Sequence, residues 1–178
     1  MDEQIINLEI TKIYSKMKQF ITNENYPIII DNPNVQLSIK QGSVWGIQPK
    51  TAKKIINYNF SPIQSSTKIQ YLSTFSSEWK KLTVLGYIFS IFLIILSFWI
   101  SLDLQNYILT GNGGFWSWIV TSNIAYSNLI QSFSDLARLL AIFLILVIFI
   151  ETFIVLYSKI KINEMAKEIL NKSQNPNF

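Results

Sequence analysis

Two long apolar runs constrain this chain more than any other feature of its sequence. Leu82 to Leu102 carries no charge, and Leu139 to Ser158 carries one, Glu151; both are dominated by Ile, Leu, Phe and Val. Each matches the roughly 20 residues that an α-helix needs to cross the hydrocarbon core of a bilayer. In a chain of 178 residues, two such runs leave too little polar sequence to cover them in water. The expected architecture is a membrane α-helical hairpin of two transmembrane helices, with the lipid bilayer as its first partner. The first span has bare spanning length, whereas the apolar pattern of the second continues beyond Ser158.

Positive charge gives the expected orientation. Of fifteen Lys and Arg residues, ten precede Leu82 and four follow Ser158, leaving Arg138 alone between them. Short cytoplasmic segments retain positive charge, so both ends are placed in the cytoplasm and the connection outside, in a multi-pass cell-membrane protein. The expected segments are a cytoplasmic domain over 1–79, spans over 80–103 and 138–158, an extracytoplasmic loop with an amphipathic helix over 104–137, and a helical cytoplasmic tail over 159–178. The opening Met1-Asp2-Glu3-Gln4 is neither cationic nor apolar, which predicts no cleavable signal peptide.

The chain contains no cysteine and no histidine. Disulfides, thiolate zinc sites, iron–sulfur clusters, cysteine nucleophiles and imidazole bases are thereby excluded. No cofactor is expected, and no nucleic-acid motif is present. The segment Gly42-Ser43-Val44-Trp45-Gly46 lacks the spacing of a phosphate-binding P-loop and reads as a turn with a packed tryptophan.

Before the first span, residues 2 to 22 read as one amphipathic helix, with Ile6, Ile10, Ile13, Met17 and Phe20 on one stripe. Asn23-Glu24-Asn25 ends it, and Pro27 prevents its continuation. Strand-like runs follow at Tyr26 to Ile30, Val35 to Gln41, Lys53 to Phe60 and Thr67 to Thr74, with an extra piece at Val44 to Ile47. Turn signals fall at Asp31-Asn32-Pro33-Asn34, Gly42-Ser43 and Ser61-Pro62. The expected fold is a small α+β domain, one helix on an antiparallel sheet of about four strands, preceding the hairpin. In the connection, Gly111 to Gly114 is a flexible turn and Phe115, Trp116 and Trp118 suit a headgroup zone. A helical pattern resumes from about Ser122 and is expected to run unbroken into the second span. Ile160, Ile162, Met165, Ala166, Ile169 and Leu170 then extend it, with fraying from Asn171 onward.

The stretch Gly42 to Lys54, read with Thr67-Lys68-Ile69, resembles a pattern in small two-pass membrane proteins of thermophilic archaea. This resemblance covers about residues 25 to 100, implies the same domain-plus-hairpin architecture and an archaeal source, and transfers no activity.

Three sets of residues are candidates for function. Glu151 lies within a span, where a central carboxylate is disfavoured by roughly 2.5–3.5 kcal/mol. At 1.5 Å per residue it is about 12 Å from Lys159, at the depth of Ser90 and one turn deeper than Tyr87. These three are expected to form an intramembrane polar contact or to meet a partner. Asp103, Asp135 and Arg138 are candidates for an ion pair at the outer mouth. Lys40, Lys50, Lys53, Lys54 and Lys68 make the sheet region basic, which suits anionic lipid headgroups.

Together these features lead to an expected non-enzymatic accessory or scaffold subunit, anchoring a cytoplasmic interaction domain within a larger complex or homo-oligomer. The expected partners are other membrane subunits or further copies of this chain. The alternative is an oligomeric channel or transporter component that uses Glu151.

Overall fold

The computed structural model describes residues 2–121 and 127–174. The chain divides into two compact units, Met1–Leu82 together with Phe153–Phe178, and Thr83–Thr152. Both chain ends therefore build one unit.

That unit is organised on an antiparallel sheet in the order β1-β5-β4-β3-β2. Its strands are β1 (Asp2–Ile6), β2 (Ile28–Asn32), β3 (Gln36–Gln41), β4 (Lys54–Ile63) and β5 (Ser66–Phe75). Five strands rather than four correct the expectation from sequence. The additional strand is β1, drawn from residues read as the start of the first helix; helix α1 spans only Ile10–Asn23. Ile6 is buried as the helical stripe required, but it is buried from a strand that pairs with β5 between Thr67 and Tyr71. The break between β1 and α1 is fixed by long-range bonds. Ser66 Oγ donates to Asn7 Oδ1 at 2.8 Å, and Thr67 Oγ1 donates to the Leu8 carbonyl at 2.8 Å.

The other boundaries have local causes. α1 closes in a Schellman arrangement: the Tyr26 N–H donates to Ile21 O at 3.0 Å and the Asn25 N–H to Thr22 O at 3.1 Å. Asn25 takes the left-handed conformation that this cap requires, with φ 56°. Ser61-Pro62, read as a turn, lies inside β4, which continues to Ile63. Phe60 donates its N–H toward the β3 side, to Val35 O at 2.9 Å. Two residues on, Pro62 has its nitrogen on that same side, past the last β3 partner at Asn59, so its missing N–H breaks no ladder bond. Val44 to Ile47 forms no strand; an isolated bridge between Ser43 and Ala52 takes its place.

One face of the sheet is apolar. Leu37 and Ile39 on β3, Ile56, Tyr58 and Phe60 on β4, and Ile69 and Tyr71 on β5 alternate onto it. Five strands about 4.8 Å apart make a face roughly 20 Å across, whereas one helix with its side chains covers about 10 Å. α1 supplies Ile13, Tyr14, Met17, Phe20 and Ile21 to this face. The remainder is covered by α5 (Glu164–Ser173), through Ala166, Ile169 and Leu170. Tyr58, fully buried, donates its hydroxyl to the Ala166 carbonyl at 3.0 Å. Asn163, just before α5, accepts the free Ser73 N–H of β5 at 2.8 Å and donates to Asp2 at 3.1 Å. The C-terminal segment is therefore part of the sheet domain and not a projecting tail.

Two helices are long and apolar enough to cross a membrane, and only 6% of the apolar window in each is buried within the structure. α2 (Ser77–Thr110) has 34 residues and continues well past Leu102, ending where Gly111 adopts φ 74°. A short helix, α3 (Phe115–Thr121), follows. α4 (Ser127–Ile160) also has 34 residues, so the expected difference in length between the two long helices is absent. The expected start of this helix near Ser122, including Ile124, lies outside the described residues. Lys161 to Asn163 form a turn, and that turn interrupts the continuous helix expected beyond Ser158.

Because α5 completes the core through Leu170, which is fully buried, Leu170→Ala is expected to destabilise the sheet unit by about 2–5 kcal/mol. Urea unfolding of the full chain in mild detergent, followed by far-UV circular dichroism, measures this. An unchanged midpoint would show that α5 is dispensable.

Candidate functional site

In the unit Thr83–Thr152, polar side chains join the two long helices at two levels. Tyr87 and Thr152 place their hydroxyls 3.2 Å apart, and Ser101 and Ser134 place theirs 3.2 Å apart. These pairs run in opposite order along α2 and α4 and so fix them as antiparallel. Thr152 also donates to the Ile148 carbonyl at 2.7 Å, and Ser134 to the Ser101 carbonyl at 3.0 Å, so no hydroxyl of the two pairs is left without a partner. The buried residues here are mostly small, with Ser97, Ser101, Ser134 and Ala141 below 5% exposure. Small side chains let helices approach where no hydrophobic driving force separates lipid from Leu.

Glu151 stands beside this arrangement without joining it. Tyr87 meets the next residue, Thr152, and among the described residues Glu151 has no hydrogen-bond or ion-pair partner. Its neighbour in depth, Ser90, is likewise without a side-chain partner and half-buried.

Asp103 is engaged with the chain that follows it. Its carboxylate accepts the backbone N–H groups of Gly114, of Trp116 at 2.7 Å and of Ser117 at 2.9 Å, which caps α3. A Cβ at Gly114 would lie 2.8 Å from the same carboxylate, so a larger residue there would have to displace it. Trp116 packs edge-to-face against both Trp99 and Phe115, with Trp99 and Trp116 centroids 5.7 Å apart. Asp135 accepts from Gln131 Nε2 at 3.0 Å. Arg138 makes no ion pair among the described residues. The structure thus places Asp103, Asp135 and Arg138 in separate environments and brings no closing pair together.

The five candidate lysines of the sheet region also separate. Lys68 pairs with Glu3 at 2.7 Å, Lys50 with Glu168 at 3.0 Å, and Lys53 with Glu78. Glu168 is held below the usual carboxylate range by Lys50 and then by Lys172, 3.0 Å away. Among the described residues, Lys40 and Lys54 have no such carboxylate partner. Exposed ion pairs contribute under about 1 kcal/mol and open readily to a competing anion.

Lys54 differs in kind. It lies on the apolar face in line with Ile56, Tyr58 and Phe60, is fully buried, and donates its ammonium to the Pro49 carbonyl. It cannot reach a headgroup. Burial without a carboxylate lowers its pKa to about 8. Its role is internal: it fastens the long β3–β4 loop, residues 42–53, from beneath. The same loop is held from outside by Trp79 Nε1, which donates to Gly46 O at 2.6 Å, and by Ser158 Oγ, which donates to Ile47 O at 2.7 Å. Sequence alone gave no sign that these three residues share a loop, because their pairing depends on the closure of the whole unit.

Shallow polar grooves border α5, one of them lined by Asp2, Tyr71, Asn163, Glu164 and Lys167. Among the described residues no three Asp or Glu side chains come together to hold a metal.

The Lys54 environment generates a pH dependence whose sign is fixed. Its folded pKa is below the ordinary lysine value, so below about pH 8 the ammonium is charged in both states and its burial penalises the fold. As pH rises from about 8 toward the ordinary value near 10.5, the folded state sheds the proton first and the penalty fades. The sheet unit is therefore expected to gain at most about 3 kcal/mol from this group between pH 7 and 10.5. Lys54→Met is expected to remove that gain, which melting curves at several pH values would record; an identical pH profile in the variant would refute the assignment. Compared with known proteins, the chain matches no family model and no curated protein.

Proposed function

We propose that this protein is a non-enzymatic membrane scaffold, in which a two-helix hairpin anchors a cytoplasmic interaction domain within a larger complex or homo-oligomer. One observation carries the reading: the segment after the second apolar helix completes the core of the domain before the first. A chain that leaves a folded domain, traverses two long apolar helices and returns to the same core has both helices opening on one side. The Lys and Arg distribution selects the cytoplasm as that side. Support for the bilayer comes from two 34-residue helices in whose apolar windows only 6% is buried within the structure. Lipid is the solvent that matches such a surface.

Contact with another chain is favoured by Glu151. The two hydroxyl pairs of the hairpin satisfy themselves, whereas this carboxylate finds no partner within its own chain among the described residues. A carboxylate at that depth is stabilised by a donor on a second chain. The domain offers exposed polar surface for partners, and the chain has no histidine or cysteine to serve as imidazole base or thiol nucleophile.

Two measurements test this. The chain has no cysteine, so Ser65→Cys and Asn112→Cys each supply a single thiol. In intact cells a membrane-impermeant maleimide is expected to label the position at 112 and to reach that at 65 only after lysis; the reverse pattern overturns the orientation. In mild detergent the chain is expected to migrate with a second copy or a copurifying protein, and Glu151→Leu to shift it severalfold toward monomer. A solitary monomer for the parent chain would overturn the scaffold reading.

A further inference from the structure

The β3–β4 loop carries two features that the scaffold reading leaves unused. Trp45 is 78% exposed and Ile47 40% exposed, yet the backbone beneath them is firmly built. Ser43 N–H donates to Thr51 O at 2.7 Å, Lys53 N–H to Ser43 O at 2.9 Å, and Ala52 N–H to Gln48 O at 2.9 Å. A Cβ at Gly46 would lie 2.2 Å from Thr51 O, so the turn closes only around glycine. Lys54 fills the underside through its bond to the Pro49 carbonyl. The indole is therefore held outward on a stiff support, and little conformational freedom is lost when it binds something.

The pins of the loop say where it sits along the helices. Trp79 holds the Gly46 carbonyl, one residue before Lys80-Lys81 and the start of the first apolar run. Ser158 holds the Ile47 carbonyl, one residue before Lys159 and at the end of the second run. Both flank the same end of the hairpin. Trp45 lies within about 7 Å of Ile47 along the chain, and the interfacial zone on each side of the hydrocarbon is about 5–8 Å deep. Lys50, Lys53, Lys80, Lys81 and Lys159 crowd this boundary against Glu78 and Glu168, an excess of positive charge. A lone, rigid indole among lysines at that depth matches a headgroup layer, which accepts an amphipathic ring and supplies phosphate. The surrounding positive charge favours anionic headgroups over a protein surface as the occupant.

We propose that residues 43–50 form a membrane-surface anchor, with Trp45 bedded in the headgroup zone of an anionic bilayer and Lys50 and Lys53 facing its phosphates. This holds the sheet unit against the membrane beside the helix ends. The inference rests on the reading of α2 and α4 as spans, and the experiment separates the two.

Single-cysteine variants Trp45→Cys, Ser65→Cys and Leu146→Cys of the full chain are labelled with an environment-sensitive fluorophore and placed in nanodiscs of phosphatidylcholine and phosphatidylglycerol. Ser65 is the negative control, since it lies beyond the far end of β4, about 30 Å from the loop. Spin-labelled lipids are expected to quench the probe at 146 from deep in the acyl chains. A shallow spin label is expected to quench the probe at 45 severalfold more than that at 65. Equal quenching at 45 and 65, with 146 still quenched, overturns the anchor and leaves the spans standing. No quenching at 146 overturns both. Quenching at 45 that is unchanged in phosphatidylcholine alone removes the lysines from the proposal. Protection of 45 in native membranes but not in discs assigns the loop to a protein partner instead.

Discussion

The width of one sheet face governs the first unit of this protein. Alternating apolar residues on β3, β4 and β5 present more surface than α1 covers, and α5 lies beyond both long helices in the sequence. The Tyr58 hydroxyl and the Ala166 carbonyl that complete the core are 108 residues apart. The ends of the hairpin therefore cannot be separated from the domain's stability. A sheet unit made without α5 would lose Ala166, Ile169 and Leu170 from its core and uncover Tyr58, an apolar patch that favours aggregation. Order of synthesis imposes the same constraint, because the domain closes only after the second long helix has been made.

Within that closed unit, polar atoms are placed where the apolar face ends. Lys54 continues the line of Ile56, Tyr58 and Phe60, but at the edge where β4 leaves the sheet core and meets the loop. There an ammonium satisfies a carbonyl of a loop that has no ladder of its own. Methionine of similar length would fill the volume without the charge, but would leave the Pro49 carbonyl short of a donor. Asn163 acts similarly at the opposite sheet edge, where β1 has ended and Ser73 would otherwise present a bare N–H. In both places one side chain replaces a missing strand.

What the sequence made legible follows from the range of the interactions involved. The apolar runs, the end of α1 at Asn23 to Asn25, and the four strands β2 to β5 are written in local pattern, which places each to within a few residues. β1 was not legible, since Ile6 and Ile10 at i, i+4 fit a helix as well as they fit a strand followed by a turn. Pro62 suggested a turn because nothing local reveals that β3 stops at the opposite position. The α5 stripe was visible at Met165, Ala166, Ile169 and Leu170, but the surface that it covers was not. For the candidate residues the pattern is the same: Asp103 was expected to face a cation, whereas three backbone N–H groups eleven to fourteen residues later occupy it. Ion pairs can be guessed from charge alone, but backbone donors become visible only once the turn is known.

The contrast between Glu151 and the hydroxyls near it sharpens what the hairpin requires. Ser and Thr in apolar helices have an internal solution, since each can donate to a carbonyl one turn back, as Thr152 does to Ile148. A carboxylate has none: it can only accept, and every backbone N–H around it within the helix is already bonded. A donor for it has to come from outside its own helix. Tyr87, the nearest hydroxyl on the facing helix, bonds to Thr152 instead. The polar chemistry that closes the hairpin is thus complete without Glu151.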